Sequence, residues 1–337
     1  MPDALDRREL EGLVAAALVA SRTELTIAAT VAHALVQAEI DGQKGHGLSR
    51  VPSYAAQARS CKVDGHAAPE WRQTRAGTAM VDVRGGFAYP AFEMAITELP
   101  KLADNAGIAA AGFVRSHHAG VLGWHMERLA EKGLIGLAFA NTPQAMTAWG
   151  GAKGVFGTNP IAFAAPRVSG APIVIDLALS LVARGKIQTA AQNGEAIPAG
   201  WAFDASGQPT TDAKAALAGT LAPAGGVKGA ALALMVELLA AAVTGANFAS
   251  EASSFFDGEG DPPGVGQLFI AIAPDAFAGR ARVFERIETL AAAIEGDSGA
   301  RIPGTRRIAR RAEAERAGIL VEEAVVAELR RLAAPTS

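Results

Sequence analysis

RSHHAGVLGWHMERLAEKGLIGLAFANTPQAMTAWGGAKGVFGTNPIAFAAP, residues 115–166, is the stretch whose reading decides the fold. The glycine- and alanine-rich run Gly107–Val114 that precedes it has the pattern of a strand, and it delivers Ser116, His117 and His118 to its end. Trp124–Lys132 reads as a helix stopped by Gly133. Leu134–Asn141, Ile161–Pro166 and Pro172–Leu177 read as strands. Strands alternating with helices predict an α/β layer architecture. The two turns, His118–Gly120 and Gly157–Pro160 (GTNP), combine small residues with polar side chains between apolar runs. That is the composition of a pocket wall for a small polar ligand, and equally of two tight turns in an ordinary domain.

Upstream, residues 7–20 form an amphipathic pattern through Leu10, Leu13, Val14 and Leu18. Ser21 and Glu24 have capping-box spacing ahead of a second helix that ends at Asp41-Gly42. In the following DGQKGHGLSRVPSY, Gly45 and Gly47 flank His46, and Arg50 follows four residues later. A helix beginning near Leu48 puts His46 at its positive end, which disfavours protonation; the flanking glycines leave the imidazole accessible. Thr78–Val83 reads as a strand, Arg84–Gly86 as a turn, and Ala91–Asp104 as a helix broken or kinked at Pro100. Downstream, Ser180–Thr189 is a candidate helix and Asn193–Asp204 a turn-rich connection. LAPAGGVKG (221–229) leads into an apolar helix over 230–243, with Lys228 set against the helix dipole, as though serving an anion. Residues 251–266 read as a loop, Gln267–Ile272 as a strand, the segment from Pro274 to about Glu295 as a helix, and Val321–Leu332 as the last helix. Arg301, Arg306, Arg307, Arg310 and Arg311 are the dense basic cluster: a solvated helix face paired with Glu313 and Glu315, or a grip on phosphate.

Composition bounds the function classes. The chain has 337 residues, half of them hydrophobic, and a net charge of −3. Its size predicts one large domain or two, and the near balance of charge gives no reason to expect nucleic acid or an anionic membrane. Cys61 is the single cysteine and receives no role. The N-terminus has no signal-peptide pattern, and the longest apolar run, Ala230–Val243, carries Glu237 and falls short of the ~20 residues that span a bilayer. A cytoplasmic protein is expected. There is no G-x-G-x-x-G after a strand, no P-loop, no H-E-x-x-H and no G-x-S-x-G. His117, His118 and His125 lack the carboxylate or cysteine that would complete a familiar metal spacing, so no metal is expected.

Seven segments in register, AEIDGQKGHGLSRVPSY, VRSHHAGVLGWHMERLAEKG, GGAKGVFGTNPIAFAAP, VIDLALSLVARGKI, PAGWAFD, LAPAGGVKG and RIPGTRR, resemble the malate/L-lactate dehydrogenase-like oxidoreductases over nearly the whole chain. The resemblance implies a three-layer α/β/α fold around a mixed, partly antiparallel sheet. It is non-Rossmann, in agreement with the missing fingerprint. A helical substrate and dimer domain would comprise residues 1–75 with 297–337, and an NAD(P)-binding α/β domain residues 76–296. It implies a homodimer, with NADPH as cofactor and NADH as the alternative. Carried over by position, His46 is the proton donor, with His118 as second acid/base. Arg50 clamps the substrate carboxylate, and Thr158 and Arg184 fall at substrate positions. His118, Ala119, Gly120, Val121, Leu122, Asp176, Leu177, Ala178, Lys228, Arg301, Gly304, Arg306 and Arg307 fall on cofactor-contacting stretches. Gly45 replaces the serine of the family's Ser-His-Gly motif, and Lys186 stands where imino-acid reductases can have aspartate, so a Ser-His-Asp relay is absent. Lys186 is then either a cation near the substrate carboxylate or an ordinary helix lysine. The wording around Lys44–Tyr54 and the loop FFDGEGDPPGVGQLFIAI look most like the branch that reduces Δ1-pyrroline-2-carboxylate to L-proline, with Δ1-piperideine-2-carboxylate as a related substrate. The alternatives are a 2-hydroxy acid dehydrogenase of malate, lactate, ureidoglycolate or sulfolactate type, and an inactive cofactor-binding homologue.

Overall fold

The computed structural model describes residues 3–334. The chain opens with strand β1 (Asp3–Leu5) and helices α1 (Arg7–Val19), α2 (Leu25–Ile40) and α3 (Val51–Arg59). α1 begins where Asp6 accepts the Glu9 amide, and it buries Leu10, Val14 and Leu18 on one face. α2 is capped by Glu24 itself, whose carboxylate accepts the Thr26 and Ile27 amides. Ser21, expected to cap, instead accepts a hydrogen bond from Arg59. Then follow β2 (Glu70–Arg75), β3 (Thr78–Asp82), α4 (Ala88–Ala106), β4 (Ile108–Ser116), α5 (Leu122–Glu131) and β5 (Ile135–Ala140). α4 runs through Pro100 to Gly107, where a φ of 76° ends it.

Next come β6 (Met146–Thr147), β7 (Gly154–Phe156), β8 (Ile161–Ala165), β9 (Ile173–Leu177), α6 (Arg184–Asn193), β10 (Ala202–Phe203), β11 (Pro209–Thr210), α7 (Ala213–Ala218) and β12 (Thr220–Leu221). α8 (Val227–Glu237) passes into a π turn at Leu238–Ala242, and β13 (Val265–Ile272), α9 (Arg280–Glu295), α10 (Thr305–Ala317), β14 (Ile319–Val321) and α11 (Glu323–Ala333) complete the chain.

Seven strands form the main sheet in the order β2-β3-β4-β13-β5-β8-β9. β3 and β4 are parallel, joined across α4; the other pairings are antiparallel. The sheet is therefore mixed, as expected. Alternation along β13 sorts the two faces. Phe269 and Ala271 join the core of α4 and α5, whereas Leu268 and Ile270 pack with Phe139, Val236 and Ala240 on the α8 side. Helices thus cover both faces. β1 pairs with β14 and α1 packs on α11, so both chain ends meet. The β2–β3 hairpin straddles residues 75 and 76, and one core runs from the terminal helices into the sheet. A smaller sheet, β11-β10-β12-β6-β7, was invisible in the sequence because its strands are too short to show a period of two.

A buried glutamate fixes the GTNP turn. Glu237, at the end of α8, accepts from Asn141 Nδ2 (3.1 Å), Asn159 Nδ2 (2.8 Å) and the Ala249 amide (2.7 Å). Asn159 holds a left-handed φ of 41°, a conformation that asparagine tolerates better than most residues. The next turn comes close to β13: a Cβ on Gly266 would stand 1.9 Å from the Ala240 carbonyl. Glu237→Ala leaves three buried donors short of an acceptor and should lower the unfolding free energy by about 3 kcal/mol, read as a lower urea midpoint.

Candidate active site

The turns that carry His46 and Arg50, Lys44–His46 and Leu48–Arg50, are tight 3₁₀ turns between α2 and α3. Gly47 packs closely on α2 there, since a Cβ would stand 2.4 Å from the Glu39 carboxylate and 3.1 Å from the Glu39 amide nitrogen. Gly45 is not, for nothing lies within 4 Å of its Cβ position; a side chain would fit. From the other side, β4 delivers His117 and His118, with the His117 carbonyl accepting from Gln267 of β13. α3 presents Tyr54 and Gln57 to them three residues apart, on one helix face.

These pieces meet in a chain of four rings. His46 Nδ1 lies 3.2 Å from His118 Nε2, His118 Nδ1 lies 2.6 Å from the Tyr54 hydroxyl, and that hydroxyl lies 3.1 Å from the Tyr89 hydroxyl. The two imidazoles are within 10° of parallel. His117 turns away to Gln57 at 2.8 Å. Burial holds every member neutral. It pushes His46 down to about 4, assisted by the Arg50 charge, and His118 well below the ordinary histidine range. It raises Tyr54 well above 10 and Tyr89 to about 12. The depressed basicity of His46 was expected from a helix dipole; its causes are desolvation first and the Arg50 charge second, and the ring is half-buried rather than freely accessible. Each of these four groups can both donate and accept a hydrogen bond, so the chain can move a proton to or from His46.

Arg50 lies beside this chain. Its Nε donates to the Gly45 carbonyl at 2.7 Å, its guanidinium stands 4.6 Å from the Phe256 ring centre, and Nη1 is buried without a protein partner. No carboxylate neutralises it among the described residues. Onward from His118, Gly120 has a φ of 64° and a Cβ there would approach the Tyr89 hydroxyl to 2.5 Å. This turn leads into α5, where the Gly123 amide donates to Asp176 at 2.7 Å. Burial raises Asp176 to about 6, opposed by that amide and by Arg307. Asp176 lines a groove of about 300 Å³ with Asp41, Gly42, Val174, Gly304, Arg306, Arg307 and Arg310. A larger cavity, about 360 Å³, is lined by Arg84 and Arg115, but both arginines are already paired, with Glu70 and Asp82.

The sequence model of the malate/L-lactate dehydrogenase family matches residues 5–330. The chain belongs to this family. It is 49% identical over 327 residues to a (2R)-3-sulfolactate dehydrogenase (NADP(+)) of Chromohalobacter salexigens, covering 97% of each chain. It is 41% identical over 329 residues to a Δ1-pyrroline-2-carboxylate/Δ1-piperideine-2-carboxylate reductase of Pseudomonas putida, covering 96% of this chain and 95% of the other. The crystal structure of Δ1-piperideine-2-carboxylate reductase from Pseudomonas syringae superposes with a TM-score of 0.90 at 38% identity, covering 98% and 99% of the two chains.

In this dehydrogenase-family chain the expected site residues fall into two connected groups. His46, Arg50, His118, Ala119 and Gly120 cluster at the ring chain; Val121 and Leu122 are the buried start of α5; Asp176, Gly304, Arg306 and Arg307 share the groove. Thr158 is held by Thr142 and accepts the Leu179 amide just beyond β9, next to the exposed Leu177 and Ala178. Others stand apart. Arg184 donates to the Leu217 carbonyl, and Lys186, Lys228 and Arg301 are exposed. Arg307 and Arg311 pair with Asp41 and Glu127, not with Glu313 and Glu315. Sequence reading missed Tyr54 and Tyr89, although a signal existed: they are the chain's only two tyrosines.

Burial of neutral histidines has a pH signature. Burial brings His117 and His125 down to about 3. The unfolded chain binds these protons near pH 6.5 and the folded chain does not. Stability should therefore be full above pH 6.5 and fall as pH drops towards 3, by about 1.4 kcal/mol per pH unit for each such histidine. Urea midpoints measured from pH 7 to pH 4 check this.

Proposed function

We propose that this protein interconverts a 2-hydroxy acid of the 3-sulfolactate type and its 2-oxo acid, with NADP(H) as the hydride partner. The observation that carries the reading is the 49% identity, over 97% of both chains, to an NADP(+)-dependent (2R)-3-sulfolactate dehydrogenase. Cyclic imino acid reduction is the second reading, supported by 41% identity to the Pseudomonas putida reductase. The inactive reading is disfavoured because the ring chain is complete and Arg50 is left unneutralised.

The residues present fit a nicotinamide dinucleotide. The groove offers Arg306 to phosphate, beside Arg310, whose Nη1 donates to the Asp41 carbonyl, and the Gly120 turn, which a Cβ would fill, lets a flat group approach the ring chain. NADP, when bound, takes or supplies the hydride. His46, neutral at pH 7, accepts the hydroxyl proton during oxidation and returns it during reduction. With Nδ1 engaged by His118, the exchange runs through Nε2, and the proton can be shared along His118, Tyr54 and Tyr89. Arg50 offers its free N–H groups to the substrate carboxylate, which fixes the carbon that loses or gains hydride.

Purified protein with NADP⁺ and 3-sulfolactate should reduce the cofactor faster than with malate or lactate, and NADPH with Δ1-pyrroline-2-carboxylate should turn over more slowly; the reverse order would favour the second reading. His46→Ala should lower kcat by about 10²–10⁴-fold. Because the base must be neutral, kcat/KM for oxidation should stay level from pH 8 to about 5 and decline near pH 4; a decline starting at 6.5 would contradict it.

A further inference from the structure

The segment Ser254–Asp257 is fastened to α3 by two buried side chains outside the chemistry described above. Gln57 donates to the Phe255 carbonyl at 2.8 Å. Lys62, immersed at 2% exposure, donates to the Ser254 carbonyl at 2.8 Å and reaches Asp257 Oδ1 at 3.2 Å. The Phe256 amide is held by the Ser254 hydroxyl at 3.0 Å. Burying a lysine is costly, and this one spends its donors on a loop. The loop carries two adjacent rings to different places. Phe255 is buried, with its centre 5.3 Å from those of both His117 and His118. Phe256 is 54% exposed and stands over Arg50.

A guanidinium can bind a carboxylate bidentately along its side edge, through Nε, or at its end, through both Nη atoms. Here Gly45 occupies Nε from the side and Phe256 covers one face. What remains is the end, and Nη1 there is the buried atom without a partner. We infer that Phe256 is a specificity-determining residue that fixes the Arg50 guanidinium end-on to the substrate carboxylate, and that Lys62 is a positioning residue acting through the loop. This rests on Arg50 being the carboxylate clamp proposed above. The side chain at position 256 then sets how a carboxylate is gripped, while the ring chain performs the proton transfer independently of it.

The test uses the full-length protein and Phe256→Ala, Phe256→Tyr and Lys62→Met. Calorimetric titration with oxalate reads the carboxylate grip without any turnover; KM and kcat are measured with whichever hydroxy or imino acid the wild type uses. Phe256→Ala should weaken oxalate binding and raise KM about fivefold, with kcat, NADPH affinity and the urea midpoint unchanged. Phe256→Tyr should restore both values, and Lys62→Met should reproduce the KM effect. Unchanged oxalate affinity in Phe256→Ala, a defect that tyrosine does not rescue, or no oxalate binding by the wild type would each overturn the assignment. Wild type that ignores sulfolactate but shows the oxalate difference would overturn the substrate reading alone.

Discussion

Burial of the chain His118–Tyr54–Tyr89, with His46 half-buried at its open end, is the constraint on which the rest depends. Four titratable rings in contact would be a liability if any were charged. Burial keeps all four neutral, and neutrality makes their hydrogen bonds reversible in direction. The surrounding architecture serves this condition. β4 brings His117 and His118 to the end of a central strand, with Gln267 of β13 holding His117, α3 supplies Tyr54 and Gln57, and α4 supplies Tyr89 from its first turn. Phe87 and Phe255 close the walls against His117 and His118. The fold gives up stability at low pH to hold its histidines this way, and gains an imidazole that stays a base at pH 7.

The second organising device is the cluster of Asp41 and Glu127 with Arg307 and Arg311. Asp41 ends α2, Glu127 lies on α5 and the arginines lie on α10, so the cluster ties the helices of both chain ends to the layer that carries the groove. It divides the arginine run by role. Arg307 and Arg311 are committed to buried carboxylates, whereas Arg306 and Arg310 line the groove from its exposed side. The turn from His118 to Gly123 joins this groove to the ring chain, since one end is bonded to Tyr54 and the other to Asp176. A dinucleotide reaching from the arginines to His46 would follow that turn.

Much of this was legible in the residues. The strand and helix alternation over 107–177 gave the α/β class, and the missing glycine fingerprint agreed with a mixed sheet. Gly42 and Gly133 ended helices where glycine should, whereas Gly107, read as the start of a strand, closes α4 instead. The Gly45–Gly47 and His118–Gly120 turns do meet, although 72 residues separate His46 from His118. What stayed hidden depends on contacts between distant segments. Glu237 as a buried acceptor and Lys62 under the 254–257 loop look like ordinary residues until their partners arrive. The two- and three-residue strands of the small sheet carry no periodicity at all. The depressed basicity of His46 was foreseen but for a different reason, because burial and the Arg50 charge, not a helix dipole, lower it, and burial is a tertiary property. Family resemblance likewise reached the right oxidoreductase family, while its leading substrate, a cyclic imine, ranks below the hydroxy acid once identities are compared over the whole chain.

The central claim is that His46 is a neutral, hydrogen-bonded imidazole across the physiological range. The most direct test is a ¹⁵N titration of the histidine side chains by NMR, with His46→Gln to assign its signals. The account predicts a neutral His46 ring from pH 8 down to about pH 5, with protonation only near pH 4. A His46 signal that titrates at 6.5, as a solvated histidine does, would contradict it.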